Sequence, residues 1–558
     1  MIKQIFTCAL VASIFTSFAA EKKPKLVLQI TVDQLRADLP LRYMHNFKDG
    51  GFRYLYEEGT VYTDAHHPHA NTETIVGHTT LATGATPSVH GMIGNVWVDR
   101  ATGKTTYNIE DPNYHLLSKN ADVDQKNEID PTQKAASTDG RSPMGILSTT
   151  FSDELAIFTK GQSKVFGVSV KDRGAVSMAG HAGKAYWFSK KAGSFVTSNY
   201  YQEKYPAWLE TWNSSGILDK YKGQSWTLSK DKSEYELAHM DDVPWETDLA
   251  GFGKKFPHPW KEGKYFTTLL TLSPAGDELT LNFAKELMKQ EKVGQDNVTD
   301  YLSVSFSSTD YVGHIFGPSS LEMEDNLYQL DGFIANLLEY VDDTVGLENT
   351  LVVLSSDHGA PEVPGYLNSL KIPAKFIHPC EWPNDSAIKS LEKEFDIKTK
   401  LIEKYQHPYV YFSKEVYSRS DKERLAIEKA AVDYLTKING VNLAISSRAL
   451  ENNALPNTAI HKAVLNNFHP ERSGDIYIVF DSNCFINDFD GLEVACTHGS
   501  PWAYDTHVPL IFAGFGIDDQ KVPRRVSTCD LALTLSNIIG CRPPSGSVAN
   551  VLEEVLED

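Results

Sequence analysis

The chain has 558 residues, which leaves room for one large core with insertions or for two domains. Hydrophobic residues make up 41% and charged residues 23% of the sequence, the proportions of an ordinary globular protein. The 73 acidic residues outnumber the 53 basic ones, and the resulting charge of −20 argues against a nucleic-acid-binding surface, although a cationic pocket for phosphate can coexist with an acidic exterior.

The first twenty residues have the pattern of an export signal. Lys3 supplies a positive start, residues 5–15 are apolar, and Ala19 and Ala20 are suited to cleavage. An uncleaved anchor is the alternative. Because the apolar run is short and no later run reaches about 18 apolar residues, we expect no transmembrane anchor and a periplasmic or secreted protein.

Removal of that segment leaves an odd number of cysteines, which are Cys380, Cys484, Cys496, Cys529 and Cys541. An oxidising compartment permits disulfides, but at least one of these thiols must stay unpaired within the chain. Cys529 and Cys541 either form a disulfide near the C-terminus or are buried small apolar residues. The spacing does not decide between the two.

The mature chain begins with a near-continuous apolar run that ends at Asp33. Such a run predicts a strand buried on both faces, and ligands of open α/β sheets bind beyond the carboxyl ends of the strands. Asp33 is therefore a candidate site residue. Its alternative role is to cap a helix that starts near Gln34.

A threonine-rich stretch, residues 70–80, predicts a turn followed by a helix. A hydroxyl at a helix N-terminus lies where free N–H groups favour an anion, so Thr74 is a candidate nucleophile for phosphoryl transfer. The alternative is that these threonines only cap and turn the chain. Asn95, in a Gly-Asn loop, is either a donor to phosphate or a turn residue.

Another buried strand, residues 165–170, leads into Lys171, Asp172 and Arg173. Strand-like alternation would put Lys171 and Arg173 on one side of the cleft, where two cations suit a phosphoryl group, and would leave Asp172 a structural role. A solvated charged loop is the alternative.

Two further strand ends carry a carboxylate with a nearby histidine. Asp310 and His314 are four residues apart, so one helical turn would bring both to one metal ion. Asp357 and His358 follow the strand 351–356. Together with Asp33 these residues predict a metal cluster.

Two histidines near the C-terminus, His498 and His507, are candidates for the last metal ligand. Both precede a buried strand that starts at Val508. A histidine in such a place more often packs than binds metal, so one of the two should be structural.

Together these motifs resemble the alkaline phosphatase superfamily, and most closely its PafA-type bacterial phosphatases. The matching motifs are Val-Asp, Thr-x-x-x-His-Thr-Thr, Gly-Asn-x-Trp, Lys-x-Arg, Asp-x-x-x-His, Ser-Asp-His-Gly, Thr-His-Gly-Ser-Pro and Tyr-Asp-Thr-His-Val-Pro-Leu. They run in the family order from Asp33 to Pro509. The resemblance implies an α/β fold in which helices flank a mostly parallel central sheet, with insertions at about residues 180–300 and 360–470.

The resemblance also implies two zinc ions with Thr74 bound between them as nucleophile. One ion would be held by Asp310, His314 and His498, the other by Asp33, Asp357 and His358. Asn95, Lys171 and Arg173 match the phosphate-contacting residues of the family. The same pattern favours His498 over His507 as a ligand.

The sequence therefore predicts a zinc-dependent phosphate monoesterase that works through a phosphothreonine intermediate, and a monomer. A phosphodiesterase or phosphonate hydrolase on the same bimetallic core is the nearest alternative, and it would be expected to lack the Lys171 and Arg173 pair. A sulfatase is disfavoured because the segment around Thr74 lacks the Cys- or Ser-x-Pro-x-Arg pattern. A non-enzymatic metal-binding scaffold would be expected to lack the nucleophile or a ligand.

Overall fold

Nine strands form the central sheet of the computed structural model, which describes residues 22–489 and 492–556. The predicted export signal lies outside these residues. The strands are β1 Leu26–Val32, β2 Thr60–His66, β3 Val165–Ser169, β4 Lys184–Ser189, β5 Ser194–Val196, β6 Asp300–Phe306, β7 Thr350–Ser355, β8 Leu510–Gly514 and β9 Gln520–Ser527.

The strand order across this sheet is 9-2-8-7-1-6-3-4-5. Strands 7-1-6-3-4 run parallel to one another, β9 is parallel to β2, and β8 and β5 are antiparallel to their neighbours. All seven residues of β1 are buried, as expected of a strand covered on both faces. The predicted mostly parallel sheet is confirmed.

Helices cover both faces of the sheet. The longest, Leu321–Thr344, is capped by the side chain of Ser320 and buries the apolar stripe that its periodicity predicts. The other α-helices of six or more described residues are Asp38–Tyr43, Phe52–Glu58, Thr74–Thr83, Phe151–Phe158, Asp172–Ala179, Ala207–Asn213, Phe266–Thr271, Pro274–Glu291, Ser308–Phe316, Pro364–Ser369, Ser386–Glu394, Asp421–Leu435, Ala459–Asn467 and Asp530–Ile539. None of the described helices is long and apolar enough to cross a membrane.

The segment between β5 and β6 is built around packed aromatic side chains. Trp208 and Trp212 contact the ring of Phe283, while the buried Trp226 contacts Phe252 and donates to Asp325 at 2.6 Å. Aromatic groups in this segment therefore pack into the main hydrophobic core. The strands β4 and β5, inside the range 180–300, belong to the central sheet.

A separate four-stranded antiparallel sheet forms most of the segment between β7 and β8. Its strands, in spatial order, are Ile402–Gln406, Tyr409–Phe412, Ile476–Phe480 and Val441–Ser446. Helices Ser386–Glu394 and Asp421–Leu435 bury their apolar sides against it. This sheet has its own core, and its strand Ile476–Phe480 lies beyond residue 470.

The order of the central strands places four chemically important positions side by side. Asp33 follows β1, Asp310 lies just beyond β6, Asp357 just beyond β7, and Lys171 just beyond β3. These four strands are consecutive neighbours and run parallel, so their carboxyl ends meet at one edge of the sheet. This edge is where a parallel α/β sheet places its ligand site.

Candidate active site

Thr74 is the first residue of helix Thr74–Thr83, and only 1% of its surface is exposed. The next backbone N–H, that of Ile75, donates to Oδ1 of Asn95 at 3.1 Å. That bond uses the amide oxygen of Asn95 and leaves its NH₂ group available for an anion near Thr74. The helix N-terminus adds partial positive charge at the same place.

The Thr74 helix approaches the strand end at Asp357 very closely at Gly77. A Cβ atom on Gly77 would lie 1.9 Å from the carbonyl oxygen of Asp357, a distance that no pair of such atoms tolerates. Glycine therefore lets the two backbones touch. The contact fixes Thr74 relative to Asp357.

Asp310, His314 and His498 form what we call the first donor group. Oδ1 of Asp310 lies 3.3 Å from Nε2 of His314 and 3.4 Å from Nε2 of His498. The Nδ1 atom of His314 contacts the carbonyl oxygen of Cys496, and that of His498 contacts the carbonyl oxygen of Thr72, each at 2.8 Å. A carbonyl at Nδ1 fixes the proton there and turns Nε2 towards a metal ion.

Asp33, Asp357 and His358 form the second donor group. Nε2 of His358 lies 3.5 Å from Oδ1 of Asp33 and 3.5 Å from Oδ2 of Asp357, while its Nδ1 contacts the carbonyl oxygen of Gly359 at 3.0 Å. All three side chains are fully buried. Asp310 also lies close enough to join Asp33 and His358 within 4.8 Å, so it links the two groups.

The donor groups fit metal ions by an independent criterion. Oδ1 of Asp33 and Nε2 of His358 are buried without a hydrogen bond from the described residues, whereas Oδ2 of Asp33 has Lys171 beside it and Oδ2 of Asp357 has His78. Unpaired buried carboxylates are costly unless a cation balances them. Imidazole nitrogen and carboxylate oxygen are suitable ligands for zinc and related divalent metals.

Lys171 lies between the two donor groups. Its ammonium nitrogen is 2.8 Å from Oδ2 of Asp33 and also pairs with Oδ2 of Asp310, and its side chain is fully buried. Burial alone would lower the pKa of Lys171, but Asp310 and Asp33 raise it above its ordinary value. The two carboxylates thus favour the charged ammonium form of Lys171 in the cleft.

Arg173 reaches the cleft from helix Asp172–Ala179 and is held by a partner that the sequence motifs do not identify. Its NH1 atom lies 3.5 Å from Oδ2 of Asp130, which also accepts a hydrogen bond from the hydroxyl of Tyr311 at 3.1 Å. Burial alone would raise the pKa of Asp130, but Arg173 and neighbouring lysines lower it to about 2. An ionised Asp130 thus orients the guanidinium.

Asp172 points away from the cleft. Its carboxylate accepts from Nε of Arg141 at 2.9 Å and from the hydroxyl of Tyr107 at 2.5 Å. These contacts agree with its predicted structural role. The strand itself ends at Ser169, so the predicted strand alternation of Lys171 and Arg173 is wrong: Lys171 directly precedes a helix and Arg173 lies in its first turn.

Gln34 and His78 also support the carboxylates, although the sequence reasoning gave neither a role. Gln34 adopts a positive φ of 66° at the end of β1, where its backbone N–H donates to Asp357 at 3.1 Å and its amide donates to Asp310 at 2.8 Å. Nδ1 of His78 lies 3.0 Å from Oδ2 of Asp357. In the sequence, only the position of His78 four residues after Thr74 indicates that it lies near the site.

Glu73 holds the loop that carries Asn95. Its Oε2 accepts from the backbone N–H of Asn95 at 2.6 Å and from the side-chain amide of Asn71 at 3.1 Å. Burial raises the pKa of Glu73 to about 7. No motif pointed to this residue.

His507 lies with a different set of residues from His498. Its ring stacks on that of His66 at a centroid distance of 4.7 Å, and its Nε2 contacts the carbonyl oxygen of Thr63 at 3.0 Å. His498 is the one that joins Asp310 and His314.

Cys529 and Cys541, the suggested disulfide pair, are buried free thiols.

Two groups of carboxylates and histidines thus provide candidate metal-binding positions at the carboxyl edge of the parallel sheet, where such a sheet binds its ligands. Comparison with known proteins makes this more specific. Residues 27–501 match the family model described as type I phosphodiesterase / nucleotide pyrophosphatase. The chain therefore belongs to this family.

Two relatives that match over nearly the whole chain are alkaline phosphatases. Alkaline phosphatase PhoV of Synechococcus elongatus is 32% identical over 96% of this chain and 93% of its own length, and alkaline phosphatase PafA of Elizabethkingia meningoseptica is 32% identical over 96% and 95%. The crystal structure of wild-type PafA matches with a TM-score of 0.84 and 30% identity, over 96% of this chain and 99% of that chain. The predicted resemblance to PafA-type alkaline phosphatases is confirmed.

Proposed function

We propose that the protein hydrolyses phosphate monoesters to an alcohol and inorganic phosphate, with two zinc ions as cofactors and Thr74 as the nucleophile. The observation that carries the proposal is one cavity lined together by Thr74, the first donor group, Asn95 and Arg173. A nucleophile, metal ligands and two donors to an anion thus face the same space. This combination suits phosphoryl transfer.

The roles of the side chains follow from their positions. The Thr74 hydroxyl oxygen attacks phosphorus, the bond from phosphorus to the ester oxygen breaks, and the alcohol leaves with a proton in place of the one that Thr74 gives up. Water then hydrolyses the phosphothreonine, which would release inorganic phosphate and restore the Thr74 hydroxyl. The guanidinium of Arg173 and the amide NH₂ of Asn95 donate to oxygens of the phosphoryl group, while Lys171 adds positive charge. Bound zinc would lower the pKa of an oxygen ligand and neutralise charge in such a site.

A crystallised variant of PafA supports this assignment. Its four substitutions replace a threonine, an asparagine, a lysine and an arginine; the first two are 21 positions apart and the last two are two positions apart. Thr74 and Asn95 have the same spacing here, as do Lys171 and Arg173. The same four residue types thus recur with the same spacing within each pair.

Phosphodiester hydrolysis is the second candidate, because the matching family model carries that activity in its description. Two buried cations at the cleft, Lys171 and Arg173, favour the more highly charged monoester. A diester has one negative charge fewer and needs space for a second ester group. The Lys171 and Arg173 pair therefore favours monoesters over diesters as substrates.

Steady-state hydrolysis of an aryl phosphate monoester and the matching diester by the zinc-loaded protein tests the proposal. We expect the monoester to be preferred, the preference to fall sharply in Lys171→Ala/Arg173→Ala, and hydrolysis to be lost in Thr74→Ala. The exposed Lys289 gives a control, Lys289→Ala, which should behave as wild type. A preferred diester with a dispensable Lys/Arg pair would contradict the monoester assignment.

A further inference from the structure

The cavity at Thr74 has a second, apolar half. The cavity measures about 70 Å³, and its apolar lining consists of Ile129, Pro131, Leu249, Leu272, Ile315 and Val494. These residues share the space with Thr74, Arg173 and His314. The alcohol part of a phosphate ester bound at Thr74 would therefore extend towards these apolar side chains.

This apolar wall comes from separate parts of the chain. Leu249 and Leu272 belong to the segment between β5 and β6, Ile129 to the segment before β3, and Val494 to the loop before His498. Leu272 and Ile315 are each 1% exposed, and Leu249 and Ile129 pack against the main core. The wall is thus held by the core.

The charges of the lining add a second restriction. Arg173 is the one lysine or arginine among the described residues that line this cavity, whereas Glu73, Asp130 and Asp310 also line it. Arg173 already pairs with Asp130. A leaving group with its own negative charge would therefore find no unpaired lysine or arginine beside the apolar wall among the described residues.

We propose that the apolar half binds the alcohol part of the substrate, so that monoesters of uncharged aromatic or arylalkyl alcohols are preferred over those of small or anionic alcohols. This inference rests on the proposed monoesterase activity. A hydrophobic pocket discriminates by roughly 10–200-fold for each methylene that it binds or leaves out. Leu249, half-buried at the wall, is the residue most easily changed without disturbing the core.

The test compares kcat/KM for benzyl phosphate, methyl phosphate and phosphoglycolate. Benzyl alcohol and methanol are of similar acidity, so their ratio reports binding of the ring and not leaving-group reactivity. We expect benzyl phosphate to exceed methyl phosphate by at least about tenfold, and phosphoglycolate to be the poorest of the three. Leu249→Ala and Ile129→Ala should each reduce the benzyl-to-methyl ratio severalfold.

Leu370→Ala serves as the matched control, because Leu370 is 53% exposed and does not line the cavity. It should leave all three values unchanged. Equal kcat/KM values for benzyl and methyl phosphate, or a benzyl-to-methyl ratio that stays unchanged in both wall variants, would contradict the apolar subsite without contradicting the monoesterase activity. Absence of hydrolysis for every monoester, or undiminished hydrolysis in Thr74→Ala, would instead overturn the proposed function.

Discussion

The ammonium nitrogen of Lys171 lies 2.8 Å from Oδ2 of Asp33, and both side chains are completely buried. The same ammonium pairs with Asp310, so one lysine joins a carboxylate of the first donor group to one of the second. In the protein without metal, this lysine is the cation that balances both carboxylates. Metal ions at the donor groups would take over part of that task.

Lys171→Ala should therefore destabilise the metal-free protein far more than the metal-loaded protein. Breaking a buried pair from one side leaves an uncompensated charge and costs about 3–5 kcal/mol. Urea unfolding with and without a chelator measures the two free energies. Lys289→Ala, at an exposed position, is the control. An equal loss with and without metal would contradict the balancing role of Lys171.

Gly77→Ala should prevent the close contact between the Thr74 helix and Asp357. Its Cβ would meet the Asp357 carbonyl oxygen at 1.9 Å, so the helix or the strand end must move, and both metal retention and activity should fall severely. Gly332 lies in helix Leu321–Thr344 with open space around it. Gly332→Ala should thus stabilise the protein by about 0.5–1 kcal/mol.

Metal content after dialysis and the unfolding midpoint measure both variants. A Gly77→Ala protein with normal metal content and normal activity would show that the contact is dispensable.

Asp277→Asn should change how stability depends on pH. Asp277 is 1% exposed, its Oδ1 accepts from the N–H of Ser308 at 3.0 Å, and burial raises its pKa to about 7. The folded state thus holds this proton more tightly than the unfolded state, so the contribution of Asp277 to stability falls as pH rises from about 4 to about 7.

The asparagine variant lacks that loss. It should be more stable relative to wild type at pH 8 than at pH 4, by up to roughly 4 kcal/mol. Urea unfolding at both pH values gives the difference, with the exposed Asp219→Asn as control. A stability difference that is the same at pH 4 and pH 8 would refute this account.

Asp130→Asn should loosen Arg173 without removing it. The variant keeps the size of the side chain and loses the charge that lies 3.5 Å from the guanidinium. Because a charged partner orients Arg173, we expect kcat/KM for an aryl monoester to fall by about tenfold, less than for Arg173→Ala. Steady-state kinetics on both variants, with Asp219→Asn as control, tests the order. A larger loss in Asp130→Asn than in Arg173→Ala would contradict a positioning role.

The place of a candidate site residue in the fold could be predicted from the sequence where that residue follows a regular element. Asp33 ends an apolar run, and Asp310 and His314 are one helical turn apart, so period and position alone bring them to the sheet edge. The distances within each donor group depend on the order of the strands. Single motifs do not contain that order.

Other site residues had no local signal. Asp130 is far from Arg173 in the chain and meets it only through tertiary packing, and Gln34 depends on a left-handed backbone conformation that glutamine seldom adopts. The strand alternation expected for Lys171 and Arg173 failed because the chain turns into a helix at Asp172. Period-two reasoning does not hold once a strand has ended.

The most direct test of the central claim is whether phosphate becomes attached to Thr74. The zinc-loaded protein would be mixed with an aryl phosphate, quenched in acid and digested, and the peptide with Thr74 examined by mass spectrometry. The account predicts a phosphorylated peptide from wild type, none from Thr74→Ala, and loss of turnover in that variant, while Thr211→Ala on an exposed helix surface behaves as wild type. Undiminished turnover in Thr74→Ala would contradict the account.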